Sequence, residues 1–307
     1  LLGKEAGLFT PSGTQANLAA LMAHCERGDE YIVGQLAHTY KYEGGGAAVL
    51  GSIQPQPLDF EDDGSIALEK IAAVIKPDNY HFAVTRLVCL ENTQWGRVLP
   101  MEYLGSARKF TAQRGLSLHL DGARLFNAAV YHHVDAHAIA TLFDSVSICL
   151  SKGLGTPVGS VLAGSTELIS RARRWRKILG GGMRQAGMLA AAGIYALENN
   201  IERLAEDHEN AGKLAATLAA MPGMRIKEKW LQTNMVFVEM DPAVSSALAA
   251  WLKPQGVLIH PGSLVRLVTH LDVSSSDIDY AVSMIGRFFE EGRHLKNMDG
   301  NSPDYFQ

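Results

Sequence analysis

Ser145-Val146-Ser147-Ile148-Cys149-Leu150-Ser151-Lys152-Gly153-Leu154-Gly155 is an apolar run that closes on a lysine set among small residues. Such a run reads as a buried strand with Lys152 at its C-terminal end. Outward from it, further apolar runs lie at 30–33, 47–50, 87–90, 116–120 and 159–162. Between them, 14–26, 67–75, 103–114 and 166–178 carry apolar residues near the helical period. This alternation predicts a doubly wound α/β domain around a mostly parallel sheet. Residues 184–221 predict a long Ala-rich helical region, weakened in the middle. Beyond it, 235–239, 243–253, 265–268 and 277–290 continue as strand, helix, strand, helix, the pattern of a smaller C-terminal α/β domain. The expected division is a large domain over 1–205, a small one over 206–292, and a polar, disordered tail over 293–307. Residues 1–5 read as the middle of a helix, so a preceding segment is expected.

Composition narrows the class. The 307 residues are 47% hydrophobic and 20% charged, the balance of an ordinary soluble globular protein. A net charge of -4 supplies no global field toward nucleic acid or an anionic membrane. Three cysteines, Cys25, Cys89 and Cys149, are too few and too scattered for a disulfide framework and read as buried, reduced thiols. No apolar stretch reaches membrane-spanning length, which favours the cytosol. His132, His133 and His137 include an i, i+4 pair, but no Glu or Cys completes a ligand set, so no metal is expected. The basic run at 171–177 reads as a solvated or subunit-facing helix.

Three segments carry chemistry. In Pro11-Ser12-Gly13-Thr14-Gln15-Ala16-Asn17, a Gly-Thr turn opens an apolar helix. It exposes unpaired N–H groups and the positive end of the helix dipole, an anion site, although a plain Ser/Thr cap has the same pattern. In Leu118-His119-Leu120-Asp121-Gly122-Ala123-Arg124, a strand delivers Asp121 to its C-terminal end. A carboxylate there holds a pyridine nitrogen protonated, as pyridoxal phosphate requires; equally, it caps the next helix. Lys152 supplies an amine for a Schiff base. Phosphate turn, ring-nitrogen carboxylate and Schiff-base lysine follow one another in the order such a site needs.

These segments, with Gly180-Gly181-Gly182-Met183-Arg184-Gln185 and Arg266-Leu267-Val268-Thr269-His270-Leu271-Asp272, resemble the low-specificity L-threonine aldolases over nearly the whole chain. The resemblance implies the aspartate-aminotransferase-like fold (fold type I), with a seven-stranded type of sheet. It also implies retro-aldol cleavage of L-threonine and L-allo-threonine to glycine and acetaldehyde, and a homotetramer, a dimer of dimers with active sites at a dimer interface. Residue by residue, Lys152 matches the Schiff-base lysine, Asp121 the ring-nitrogen partner, and Gly13 and Thr14 the phosphate pair. His38 matches the histidine stacked on the cofactor near the substrate hydroxyl, and His81 a second histidine near that hydroxyl. Arg124 and Arg266 match arginines near the cofactor oxygen and the substrate carboxylate. Arg184 matches an active-site arginine that reaches phosphate or carboxylate, and Tyr42 an aromatic lining the site. A neutral histidine suits the removal of a hydroxyl proton, and a bridging water suits it equally.

Two departures stand out. The Ser-Asp-Thr motif that family members carry near their N-terminus does not occur here. Glu91-Asn92-Thr93-Gln94-Trp95-Gly96 stands where relatives more often read Glu-Asn-Thr-His-Asn, which places a bulky indole by the site. Two other readings of the same residues are a β-eliminating amino-acid lyase on this fold and an inactive scaffold derived from it.

Overall fold

The structure, a computed structural model, describes residues 1–293. Of the tail expected at 293–307, all but Arg293 lies outside the described residues. The chain divides into two compact units, Leu1–Ala205 and a second beginning at Glu206.

The first unit runs β1 (Ala6–Thr10), α1 (Gly13–His24), β2 (Asp29–Gly34), the one-turn helices α2 (His38–Lys41) and α3 (Gly46–Val49), β3 (Gln54–Leu58) and α4 (Leu68–Val74). It continues through β4 (Val84–Glu91), α5 (Met101–Ala112), β5 (Ser117–Asp121), α6 (Leu125–His132), α7 (Ala136–Ala140), β6 (Ser145–Cys149), β7 (Ser160–Gly164), α8 (Thr166–Ile178) and α9 (Gly187–Asn199). Seven strands form one sheet in the order β1-β7-β6-β5-β4-β2-β3. From β3 to β6 the neighbours are parallel. β7 is antiparallel to β6 and β1 antiparallel to β7, so two reversals point β1 the same way as β6. The C-terminal ends of β1, β4, β5 and β6 therefore share one edge, where open α/β sheets bind ligands.

Burial explains why the apolar runs become central strands. β2 is buried along its whole length, and Ile32, Val88, Leu118, Leu120 and Val146 lose all accessible surface. Each such side chain contributes about 1.5–3 kcal/mol over leaving it exposed. Ser12 and Ser165 open α1 and α8 as N-caps, their hydroxyls accepting from Gln15 N and Leu168 N. α8 spans the same residues that the periodicity marks.

The structure departs from the sequence reading at three places. Residues 47–49 belong to α3 rather than to a strand, with Leu50 as its C-cap. Gly44 and Gly45 turn the backbone left-handed just before it (φ 63° and 67°), and only Ala47 of the run packs inward while Val49 and Leu50 stay exposed. The strand in this region is β3, Gln54-Pro55-Gln56-Pro57-Leu58, which has little apolar content. Residues 1–5 are not helical. Gly3 sits at φ 65°, Leu2 is buried in the main core and Lys4 Nζ donates to Phe143 O, so the segment is fixed by tertiary contacts rather than by helical ones.

In the second unit, α10 (Leu204–Ala219) leads into β8 (Arg225–Ile226), β9 (Met235–Glu239), α11 (Pro242–Leu252), β10 (Leu264–Val268) and α12 (Ser275–Glu290). The strands form an antiparallel sheet in the order β10-β9-β8. Val236, Val238, Leu248, Leu252 and Phe288 fill its own core. A reciprocal Ser274–Asp277 capping box starts α12. No helix among the described residues is long and apolar enough to cross a membrane.

Candidate active site

Strand register builds the site. At the C-terminal edge Glu91 of β4 lies opposite Asp121 of β5, and Asp121 opposite Ser147 of β6. Three residues beyond β6, Lys152 sits in a turn closed by Gly155 N donating to Lys152 O at 2.9 Å. Across β6, Cys149 pairs with Ser160, and Ser160 with Thr10 at the end of β1. This row carries the first turn of α1 to the same edge. A Cβ on Gly13 would stand 2.8 Å from Cys149 Sγ, so only glycine lets the turn approach this closely.

The carboxylate of Asp121 is buried and held from two sides. Asn17 Nδ2 donates to Oδ2 at 2.8 Å and Ala123 N to Oδ1 at 3.1 Å. Asn17 Nδ2 donates its second proton to Glu43 Oε1 at 2.9 Å, and Ser147 Oγ donates to Asn17 Oδ1 at 2.5 Å. Glu43 Oε1 lies 2.8 Å from His38 Nδ1, and His38 N donates to Glu91 Oε2 at 2.7 Å. The Tyr42 ring tilts against His38 at 5.9 Å between centroids.

This clustering shifts proton affinities. Burial pushes Glu91 up to about 8, with the Asp121 charge adding to it and the backbone bond from His38 opposing. Burial also raises Glu43, against its hydrogen bonds from His38 and Asn17. His38 is raised, first by the bond to Glu43; Asp121 adds to this and Lys152 opposes. Donor atoms of His38, Glu43 and Asp121 lie within 4.8 Å of one another, a spacing that a metal ion can bridge. Asn17 Nδ2 already donates to both carboxylates, which makes this a hydrogen-bonded network rather than an open ligand cage.

Lys152, Asp121, Gly13, Thr14, His38 and Tyr42, each marked in the sequence, thus meet at one sheet edge. Arg124 stands half-buried at the start of α6, three residues after Asp121. Arg184 is exposed in the bend before α9. Arg266 belongs to the second unit, exposed on β10 opposite Phe237. His81 is exposed and stacks on Tyr80 at 4.1 Å, in the turn before β4. β4 is 8 residues long and Glu91 is its last, so the turn holding His81 joins the strand at the end ~23 Å from Glu91. Within one chain it is not part of the cluster. Sequence reading missed Glu43, Glu91, Asn17 and Ser147 as site residues. The last three stand inside the quoted motifs; Glu43 has only its place beside a glycine run as a signal.

Comparison with known proteins identifies the chain's relatives. The family model described as beta-eliminating lyase matches residues 1–241. The chain is 56% identical over 278 residues to the low specificity L-threonine aldolase of Escherichia coli (strain K12), covering 91% of this chain and 83% of that protein. It is 42% identical over 294 residues to low-specificity L-threonine aldolase 1 of Arabidopsis thaliana, with 92% and 82% covered. The solved threonine aldolase of Leishmania major superposes with a TM-score of 0.79 at 24% identity, over 92% of this chain and 84% of that one, which speaks for the fold. Strand ends, lysine turn and sequence kinship converge: the chain belongs to the beta-eliminating lyase family and, within it, to the low-specificity L-threonine aldolases.

Proposed function

We propose that this chain holds pyridoxal phosphate at Lys152 and cleaves L-threonine and L-allo-threonine to glycine and acetaldehyde. The observation that carries this reading is the meeting of Lys152, Asp121 and the first turn of α1 at one sheet edge. The residues fit the group. The N–H groups of Gly13 and Thr14 have no partner among the described residues and suit a phosphate. Asp121 keeps acceptor capacity after Asn17 and Ala123, and Lys152 Nζ makes no hydrogen bond or ion pair within the described residues.

When bound, pyridoxal phosphate supplies an electron sink for the pair left at Cα as the Cα–Cβ bond breaks. Lys152 would provide the amine that anchors it. Asp121 would hold its ring nitrogen protonated. His38, or a water it holds, would take the β-hydroxyl proton as the carbonyl of acetaldehyde forms, and one proton returned to Cα in its place would complete glycine, so that the two products together hold every atom of threonine. Arg124 and Arg184 would supply planar forks for the cofactor oxygen, phosphate or substrate carboxylate. The test is an absorbance spectrum of the purified chain with added cofactor, followed by L-threonine. A visible band followed by acetaldehyde release supports the reading. A keto acid and ammonia in place of acetaldehyde would replace it with β-elimination, and no band would remove the enzyme claim.

His81 enters this scheme only from another subunit, given its place at the far end of β4. We therefore propose a homo-oligomer, a dimer of dimers in the cytoplasm, in which a neighbour's His81 reaches the Lys152 site. Exposed Met188, Ile194 and Tyr195 on α9 supply apolar surface for such contacts. Co-assembled His81→Ala and Lys152→Ala chains would then regain activity that neither shows alone, roughly a quarter of wild type for random pairing with one intact site per hybrid. A mixture no more active than the mean of its parents would rule this out.

A further inference from the structure

His38 is gripped twice by acids. Glu91 from β4 accepts its backbone N–H and Glu43 accepts from its ring, so main chain and imidazole are fixed independently. The Glu43 side chain is 4% exposed while that of His38 is 44% exposed, so the buried acid backs a ring that stays reachable. Hydrogen-bond accounting decides which nitrogen carries the proton. The hydroxyl of Ser147 donates to Asn17 Oδ1, which orients the amide and leaves its NH2 group to donate. That NH2 spends one proton on Asp121 and one on Glu43 Oε1. Glu43 Oε1 is thereby an acceptor, and the partner 2.8 Å away at His38 Nδ1 must bring the proton. Nε2 is left as the nitrogen that exchanges protons with substrate or water.

We propose that Glu43 is a positioning residue of the reaction, fixing the tautomer, orientation and charge of His38 while Asn17 locks Glu43 in place. This rests on the aldolase reading above. The groups facing His38 are Glu43, Glu91, Asp121, Lys152 and the Tyr42 ring. Asp121 and Lys152 act on it in opposite directions, so the Glu43 bond is the largest influence holding His38 in its charged form to higher pH. Removing the carboxylate therefore releases the ring proton at lower pH.

The experiment compares holoenzyme of wild type, Glu43→Gln and Glu43→Asp. One readout is the pH profile of kcat/KM for L-threonine. The other is the NMR titration of the His38 imidazole in histidine-labelled protein without substrate, its signal assigned by loss in His38→Asn. In Glu43→Gln the acid limb of the profile and the His38 titration both move to lower pH, kcat falls roughly tenfold or more, and the cofactor band stays. Glu43→Asp, which restores a carboxylate, moves both back toward wild type. A His38 titration unchanged in Glu43→Gln overturns the proposal, as does an acid limb that stays in place while the titration moves. Should Glu43→Gln not fold, Glu43→Met, similar in size and uncharged, takes its place: a His38 titration moved to lower pH supports the proposal, and one unchanged from wild type overturns it. Wild-type protein that releases no acetaldehyde defeats the aldolase reading, whereas the titration is measured without turnover.

Discussion

Lys152→Ala gives a folded protein that shows no visible band with pyridoxal phosphate and cleaves L-threonine at least roughly ten-thousandfold more slowly than wild type. The two halves of this expectation come from different parts of the structure. Stability is spared because Lys152 sits in a turn, its Nζ making no hydrogen bond or ion pair among the described residues, and the bond that closes the turn uses its backbone oxygen. Substitutions at such positions stay within about 0.5 kcal/mol. Activity is lost because the amine proposed to anchor the cofactor, three residues beyond the strand carrying Ser147, is removed. Comparing thermal midpoints, spectra and acetaldehyde release for the two proteins checks both halves. A mutant that keeps the band and the activity would move the cofactor anchor elsewhere.

Asp121→Asn keeps the cofactor band and lowers turnover roughly a thousandfold, within the range for a lost proton-transfer partner. An amide fills the same space and retains an oxygen for Asn17 or Ala123 to donate to, so the strand end keeps its shape. What disappears is the charge proposed to hold the cofactor's ring nitrogen protonated. The same charge raises His38 and, after burial, Glu91, so both are expected to titrate lower in the variant. Rates with L-threonine at fixed cofactor saturation are the measurement. A loss of only a few-fold would show that the electron sink does not depend on this carboxylate.

Local pattern carries some parts of this molecule and not others. β2, β4, β5 and β6 are legible because they are buried on both faces of a sheet, which demands continuous apolar runs. α8 is legible because Ser165 caps it and its apolar residues repeat at helical spacing. β3 is not, since an edge strand has no such demand, and α3 is misread because a single turn with one inward alanine looks like a short apolar strand. In the site, Lys152 and Asp121 announce themselves as polar residues ending apolar runs. Glu43 and Asn17 do not, because their meaning lies in bonds to partners 26 and 104 positions away. His81 is visible as a residue, but the fold puts it in the turn before β4, apart from the strand-end cluster.

The composition of β3 has a bearing on solubility. It ends the sheet, pairing with β2 in a register that places Pro55 beside Tyr31 and Pro57 beside Val33. Proline brings no N–H, so the outer rim of β3 offers an interrupted row of donors to any strand that drifts alongside. During synthesis and refolding, when many partly folded copies coexist, this rim is a poor template for cross-β stacking. Copies of the chain are thus kept from joining along this edge.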